Sequence, residues 1–294
     1  VVDSPDLSLN ISRELLQHDR QLKLIANNIE KKVKSELERM LKEDREGYEK
    51  FYQNFGRQLK VGCLNNYGAK RELLEDLLLF YSSTEKKLVT LKEYVDRMPE
   101  SQKCIYYAAG EDVAAMDNLP QTELLRERKM EILYLTDQPD QLLMEILREY
   151  KEKPLRSAVD GDLELEDMPE EKPAEDYKES LYFIKEALGE EVDEVRISRK
   201  LKTHPVCLTC GEGVSFEMER YFTAAQPEMG LKAKRILELN VEHPAFAALE
   251  GARANDPEKA KKYAQVLLNQ AKLIAGLPIG DPSGYTDLLC SLWS

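Results

Sequence analysis

Several short stretches carry side chains whose types and spacing could do chemistry. Near the start, Asn10-Ile-Ser-Arg13-Glu-Leu-Leu-Gln17 reads as a polar loop running into a helix. A guanidinium is a rigid donor fork, and side chains one helical turn apart share a face, so Arg13 and Gln17 can address one oxygen-rich ligand. Taken alone, an arginine at a helix start is simply solvated. Cys207-Leu-Thr-Cys210 with His204 nearby has the spacing of half a zinc site or of a redox dithiol. His18 and His243 lack ligand-like spacing to it, and Gly211 to Gly213 intervene before any helix start, so an incidental pair on a strand is the plainer reading. Gly211-Glu-Gly213-Val-Ser-Phe216 follows an apolar segment and opens a helix, as a dinucleotide loop does, but Phe216 stands where close helix–strand packing asks for glycine. Asp160-Gly-Asp162 hints at calcium, yet Leu165 occupies the turn position that needs glycine. No metalloprotease, nucleophile-elbow or phosphate-loop motif occurs, so no metal site is assigned. Finally, Phe216, Met218, Tyr221 and Phe222 alternate with Glu217, Glu219 and Arg220. The aromatic residues do not form one narrow stripe; core packing is the default reading, and a partner-binding ridge is the sharper one.

The elements that must position these residues follow from periodicity. Leu24, Ile25, Ile29, Val33, Leu37 and Leu41 predict a first amphipathic helix, and Tyr48, Phe51, Tyr52 and Phe55 a second, ended near Gly56. Beyond a turn at Asn65-Asn66, Leu73, Leu74, Leu77 and Leu78 predict a third, the stripes burying against each other or a neighbouring sheet. Cys104–Tyr107 and Ile132–Leu135 read as buried strands, with helical pieces near 112–119, 122–129 and 141–150, which implies a parallel pair in an α/β unit. Residues 160–176 hold nine acidic residues against one lysine and read as a linker. After it come a helix over 177–188 closed by Gly189, strands near 195–198, 206–209 and 236–239, and the amphipathic stretch 215–225. A helix from Asp256-Pro257 to Gly276 and a last one over 285–292 complete a mixed α/β order without repeats.

Composition narrows the function classes. In 294 residues, 42 Lys and Arg stand against 55 Asp and Glu, a net charge of −13, which repels phosphate backbones and anionic lipid. No apolar run approaches the ~18 residues of a membrane span. The five scattered cysteines suit a reducing compartment. The expectation is a soluble, acidic, cytoplasmic chain of about two domains, with neither nucleic acid nor membrane as partner. Val1 is not an initiator methionine, and the chain reads as a fragment.

Taken together, Asp6–Gln17, Leu79-Phe-Tyr-Ser-Ser83, Tyr94-Val-Asp-Arg97-Met-Pro99, Ile105-Tyr-Tyr107, Glu131-Ile-Leu-Tyr-Leu-Thr136-Asp137 and Ser215-Phe-Glu-Met218-Glu-Arg220 resemble the heat shock protein 90 chaperone family. They occur in the family's order across nearly the whole chain. The ending Ser-Leu-Trp293-Ser, in place of an acidic tail, resembles the bacterial HtpG branch.

The resemblance implies the later part of a middle domain (1–159), the acidic linker (160–176) and a C-terminal dimerisation domain (177–294). It implies a stress-response chaperone that hydrolyses ATP, with ATP and Mg bound by an N-terminal domain absent here and none bound by this segment, which would be inactive alone. It implies that Arg13 contacts the ATP γ-phosphate, with Gln17 and Asn10 supporting. It implies that Val214, Phe216, Met218, Tyr221 and Phe222 bind unfolded or partly folded client proteins. Val214 stands near a tryptophan of eukaryotic members. It implies a homodimer through Tyr263, Val266, Leu267, Gln270 and Ile274 with Leu288, Leu289, Leu292 and Trp293, faces too large for a small domain to hide. The competing readings are a two-domain acidic α/β enzyme with an interdomain small-molecule site and a passive dimerisation scaffold.

Overall fold

The computed structural model describes residues 20–159, 163, 165, 174–211 and 213–293. The chain divides into two compact units, Val1–Leu79 and Phe80–Ser294.

The described part of the first unit is helical. Helix α1 (Arg20–Glu43) carries the expected stripe. Only its C-terminal end is covered: Leu37 is buried, whereas Leu24, Ile29 and Val33 are exposed. Asp44 caps α2 (Arg45–Gly68), its carboxylate accepting the Gly47 N–H at 3.0 Å. The helix does not end near Gly56, as the glycine suggested. A Cβ there would lie 2.6 Å from the Tyr52 ring, so Gly56 makes room for an aromatic side chain one turn back. The expected turn appears at Asn65–Tyr67, with Asn66 and Tyr67 at φ 52° and 54°. The third helix is shorter than its leucines predict. α3 (Arg71–Leu74) makes one turn, a 3-10 turn follows over Glu75–Leu77, and Leu78 is extended. The buried Tyr48 hydroxyl donates to the Leu77 carbonyl, holding that exit against α2.

The second unit contains two sheets. The first uses β1 (Phe80–Ser82), β2 (Leu88–Val89), β3 (Ile105–Ala109), β4 (Ile132–Leu135), β5 (Glu149–Tyr150) and β6 (Lys153–Ser157), in the order β2-β1-β4-β3-β6-β5. β3 lies parallel to β4, as the strand–helix–strand pattern requires, and also to β6; the remaining pairs are antiparallel. Helix α4 (Leu91–Arg97) starts with a reciprocal cap between Thr90 and Glu93. Between β3 and β4 run α5 (Val113–Asp117), a 3-10 turn (Pro120–Thr122) and α6 (Glu123–Glu127). Helix α7 (Asp140–Leu147) stops before Tyr150 because Arg148 turns to φ +56° and the chain enters the β5–β6 hairpin. The core here includes Cys104, Tyr106, Met116, Leu125, Ile132 and Tyr134. It also takes in Leu163 of the acidic stretch, whose carbonyl accepts the Tyr106 hydroxyl at 2.6 Å.

The second sheet, β7 (Glu194–Ile197), β8 (Val206–Cys210) and β9 (Arg235–Leu239), is ordered β7-β9-β8, with β7 parallel and β8 antiparallel to β9. Around it lie α8 (Lys178–Leu188), closed by Gly189 at φ +55°, α9 (Phe216–Ala225), α10 (Pro244–Asn255), α11 (Pro257–Ile274) and α12 (Pro282–Cys290). Its apolar core joins Ile184 and Leu188 to Val206, Leu208, Leu237, Leu249 and Leu268. The architecture is mixed α/β, as the sequence indicated.

Candidate functional site

Helix α9 carries most of the residues expected at a partner face. Ser215 caps it, its hydroxyl accepting the Met218 N–H at 3.1 Å. Phe216 is buried in the core of the three-stranded layer, with the Arg235 guanidinium 5.9 Å above its ring. Val214 is half-buried against the same core. Met218 and Phe222 are half-buried, and Tyr221 is 47% exposed, its ring edge-on to Phe222 at 5.4 Å. Charged neighbours fix the orientation: Arg235 reaches Glu219 at 2.7 Å, and Glu219 also accepts the Ala233 N–H at 2.8 Å. Helix α7 of the six-stranded layer lies against α9, and Leu142 on it is 42% exposed. Periodicity gave no signal for the meeting of α7 with α9, which is purely tertiary.

The residues expected at a dimer interface fall into two groups. On α11, Val266 and Leu267 are buried, and Leu267 belongs to the core of the layer. Tyr263, Gln270 and Ile274 are half-buried, and Leu273, which the sequence reading passed over, is 54% exposed. Helix α12 packs on α11 and buries none of its own residues. Leu288, Leu289 and Leu292 are half-buried and Trp293 is 85% exposed.

The cysteine motif resolves differently. Cys207 and Cys210 are buried, free thiols on β8, and their odd spacing along a strand points them to opposite faces. Burial, and then the nearby Glu238 carboxylate, push the Cys207 thiol well above its ordinary range, so it is no ready thiolate. Glu238 itself is the centre of a buried polar group. It accepts from the Arg196 guanidinium, from Ser198 Oγ at 2.7 Å and from Thr209 Oγ1 at 3.1 Å. Burial alone would raise this carboxyl; the Lys200 and Arg196 charges outweigh it and hold it low. Among the described residues no cluster of three or more His, Cys, Asp or Glu is placed to hold a metal ion. The glycine turn before α9 is not a dinucleotide loop, since β8 and β9 on either side of α9 are antiparallel. Gly213 there takes φ +110°, a turn conformation suited to glycine. Asn10, Arg13, Gln17 and the Asp160-Gly-Asp162 motif lie outside the described residues. No described helix is long and apolar enough to cross a membrane.

The described residues thus combine two αβ layers with an amphipathic helix, α9, and an exposed terminal helix, α12. Comparison with known proteins gives its kinship. The family model described as Hsp90 protein matches residues 1–293. Proteins named chaperone protein HtpG are 52% identical in Alkaliphilus metalliredigens over all of this chain and 48% of that protein, and 50% identical in Bacillus subtilis over 99% and 47%. In Clostridium acetobutylicum the figure is 51%, over 99% of this chain and 47% of the relative. The chain belongs to the Hsp90 chaperone family, and it spans about half the length of these relatives.

Proposed function

We propose that this chain is the assembly and client-binding part of an ATP-dependent chaperone. Its family membership carries the reading, and the exposed Tyr221 on α9 and Trp293 beside α12 support it. In this reading two copies associate through α11 and α12, with Leu288, Leu289, Leu292 and Trp293 at the contact, and the division of labour falls between residues 1–159 and 177–294. Partly folded proteins bind along α9 through Met218, Tyr221 and Phe222. A half-buried aromatic ridge bordered by carboxylates suits transient apolar contact, because it offers area without closing into a core.

ATP with Mg, held by a part of the protein outside this chain, would supply the phosphoryl transfer. Arg13 would act there from a second domain, its guanidinium stabilising charge that develops on the phosphoryl oxygens, with Gln17 and Asn10 supporting it. Coupling turnover to closure follows directly, since the arginine arrives only when the domains meet. Sedimentation equilibrium of residues 1–294 tests the assembly: a dimer is expected, and a monomer at micromolar concentration overturns it. Arg13→Ala in the full-length protein should abolish most ATP turnover while leaving the dimer intact; unchanged turnover removes the arginine from the reading.

A further inference from the structure

We propose that the 120–127 segment of the six-stranded layer is a polar latch on the three-stranded layer, and that the two layers separate as bodies when it releases. Strand β8 is the edge of its sheet, yet all five of its residues are buried. An uncovered edge presents unpaired peptide groups. Here the 3-10 turn Pro120–Thr122 covers that edge, and the fully buried Gln121 donates Nε2 to the Leu208 carbonyl at 2.7 Å. One turn on, the Glu123 carboxylate gathers four donors from a single loop. They are the backbone N–H of Lys202 at 2.7 Å, that of Thr203 at 3.1 Å, the Thr203 hydroxyl and the His204 ring. Two looser ion pairs, Lys202–Glu127 and Arg220–Glu111, both at 3.5 Å, span the same junction.

Three observations distinguish a latch from a continuous core. The apolar clusters of the two layers share no residue. The named bonds across the junction are polar and can be exchanged for water, which apolar burial cannot, so their net stabilisation is small while their geometric selectivity is high. Gln121 is fully buried, and its anchoring bond runs to a backbone carbonyl of the other layer rather than of its own. Because α7 belongs to one layer and α9 to the other, the latch also sets their spacing. That consequence rests on the reading of α9 as a client face; the latch itself does not.

The test uses the whole chain with Cys290→Ser, spin labels at Glu100→Cys and Glu258→Cys, and labelled chains diluted into unlabelled ones. Wild type should give one narrow distance, and Glu123→Ala a broadened or shifted distribution. Thr203→Val, at an exposed position, should give a smaller change in the same direction. Hydrogen exchange of the Lys202 and Thr203 amides should rise about tenfold in Glu123→Ala, while β7 and β9 keep their protection. An unchanged distance distribution in both variants overturns the latch. So does loss of protection spread through β7 and β9, which would make Glu123 part of one cooperative core. Suppression of client aggregation, measured on the same variants, reports separately on the client reading: a latch that opens without altering it would leave the latch and remove the consequence.

Discussion

Helices α11 and α9 belong to the same layer and hold side chains of similar type, yet they use them in opposite ways. α11 buries Ala260, Ala264, Val266, Leu267, Leu268, Asn269 and Ala271, whereas α9 buries only Phe216 and α12 nothing. The inward face of the layer is committed to the fold, and exposed apolar side chains remain on α9 and the outer side of α11 and at Trp293 beyond α12. A leucine that the resemblance places at an interface therefore divides into two kinds. Leu267 holds the domain together, whereas Leu289 is left half-buried outside that core.

That contrast can be broken at its inner side first. Glu238→Ala would leave Arg196 and Lys200 without their buried counter-charge and should cost about 3–5 kcal/mol in urea unfolding. Leu267→Ala should cost about 2–5 kcal/mol by opening a cavity in the same core, whatever it does to assembly. Ser215→Ala removes the α9 cap and should lower stability by about 1 kcal/mol while fraying the partner helix. At the outer side, Leu289→Ser with Trp293→Ser should change monomer stability by no more than about 0.5 kcal/mol each, and should still shift sedimentation toward monomer. A large unfolding penalty there would erase the distinction between the two faces.

A pH dependence is also expected at the junction. Burial would raise the Glu123 carboxyl, but its hydrogen bonds to Thr203, Lys202 and His204 prevail and hold it at about 2, below the usual 4.5. A carboxyl lowered by folding contributes stability that is complete above pH 4.5 and is lost as pH falls toward 2. Unfolding midpoints of wild type and Glu123→Gln should therefore converge over that window and differ by a constant amount above it.

Much of this fold is legible in the chain because local rules act there without competition. Asp256 followed by Pro257 starts α11, Gly189 closes α8, and Ile132–Leu135 is a strand buried throughout. The failures have identifiable causes. Gly56 looks like a terminator but is a space left for the Tyr52 ring, and helix and 3-10 turn share the leucine run before Leu78. The short strands β1, β2 and β5 give too few residues for a period, and α10, with its many alanines, shows little stripe. The candidate partner residues were legible through resemblance, while the meeting of α7 with α9 was not, since no local rule places them side by side.

By itself the sequence determined the mixed α/β class, the main helices and strands and the negative charge, which depend on residue type and short spacing, while the family was legible through the resemblance of its motifs. Only the tertiary structure decided which apolar residues remain available and which are consumed. It also decided that Cys207 is a buried neutral thiol beside Glu238, and that Gln121 and Glu123 meet β8 and the loop before it. Those outcomes depend on contacts from 31 residues apart, Cys207 with Glu238, to 87 apart, Gln121 with Leu208, and short-range periodicity carries no information at such distances.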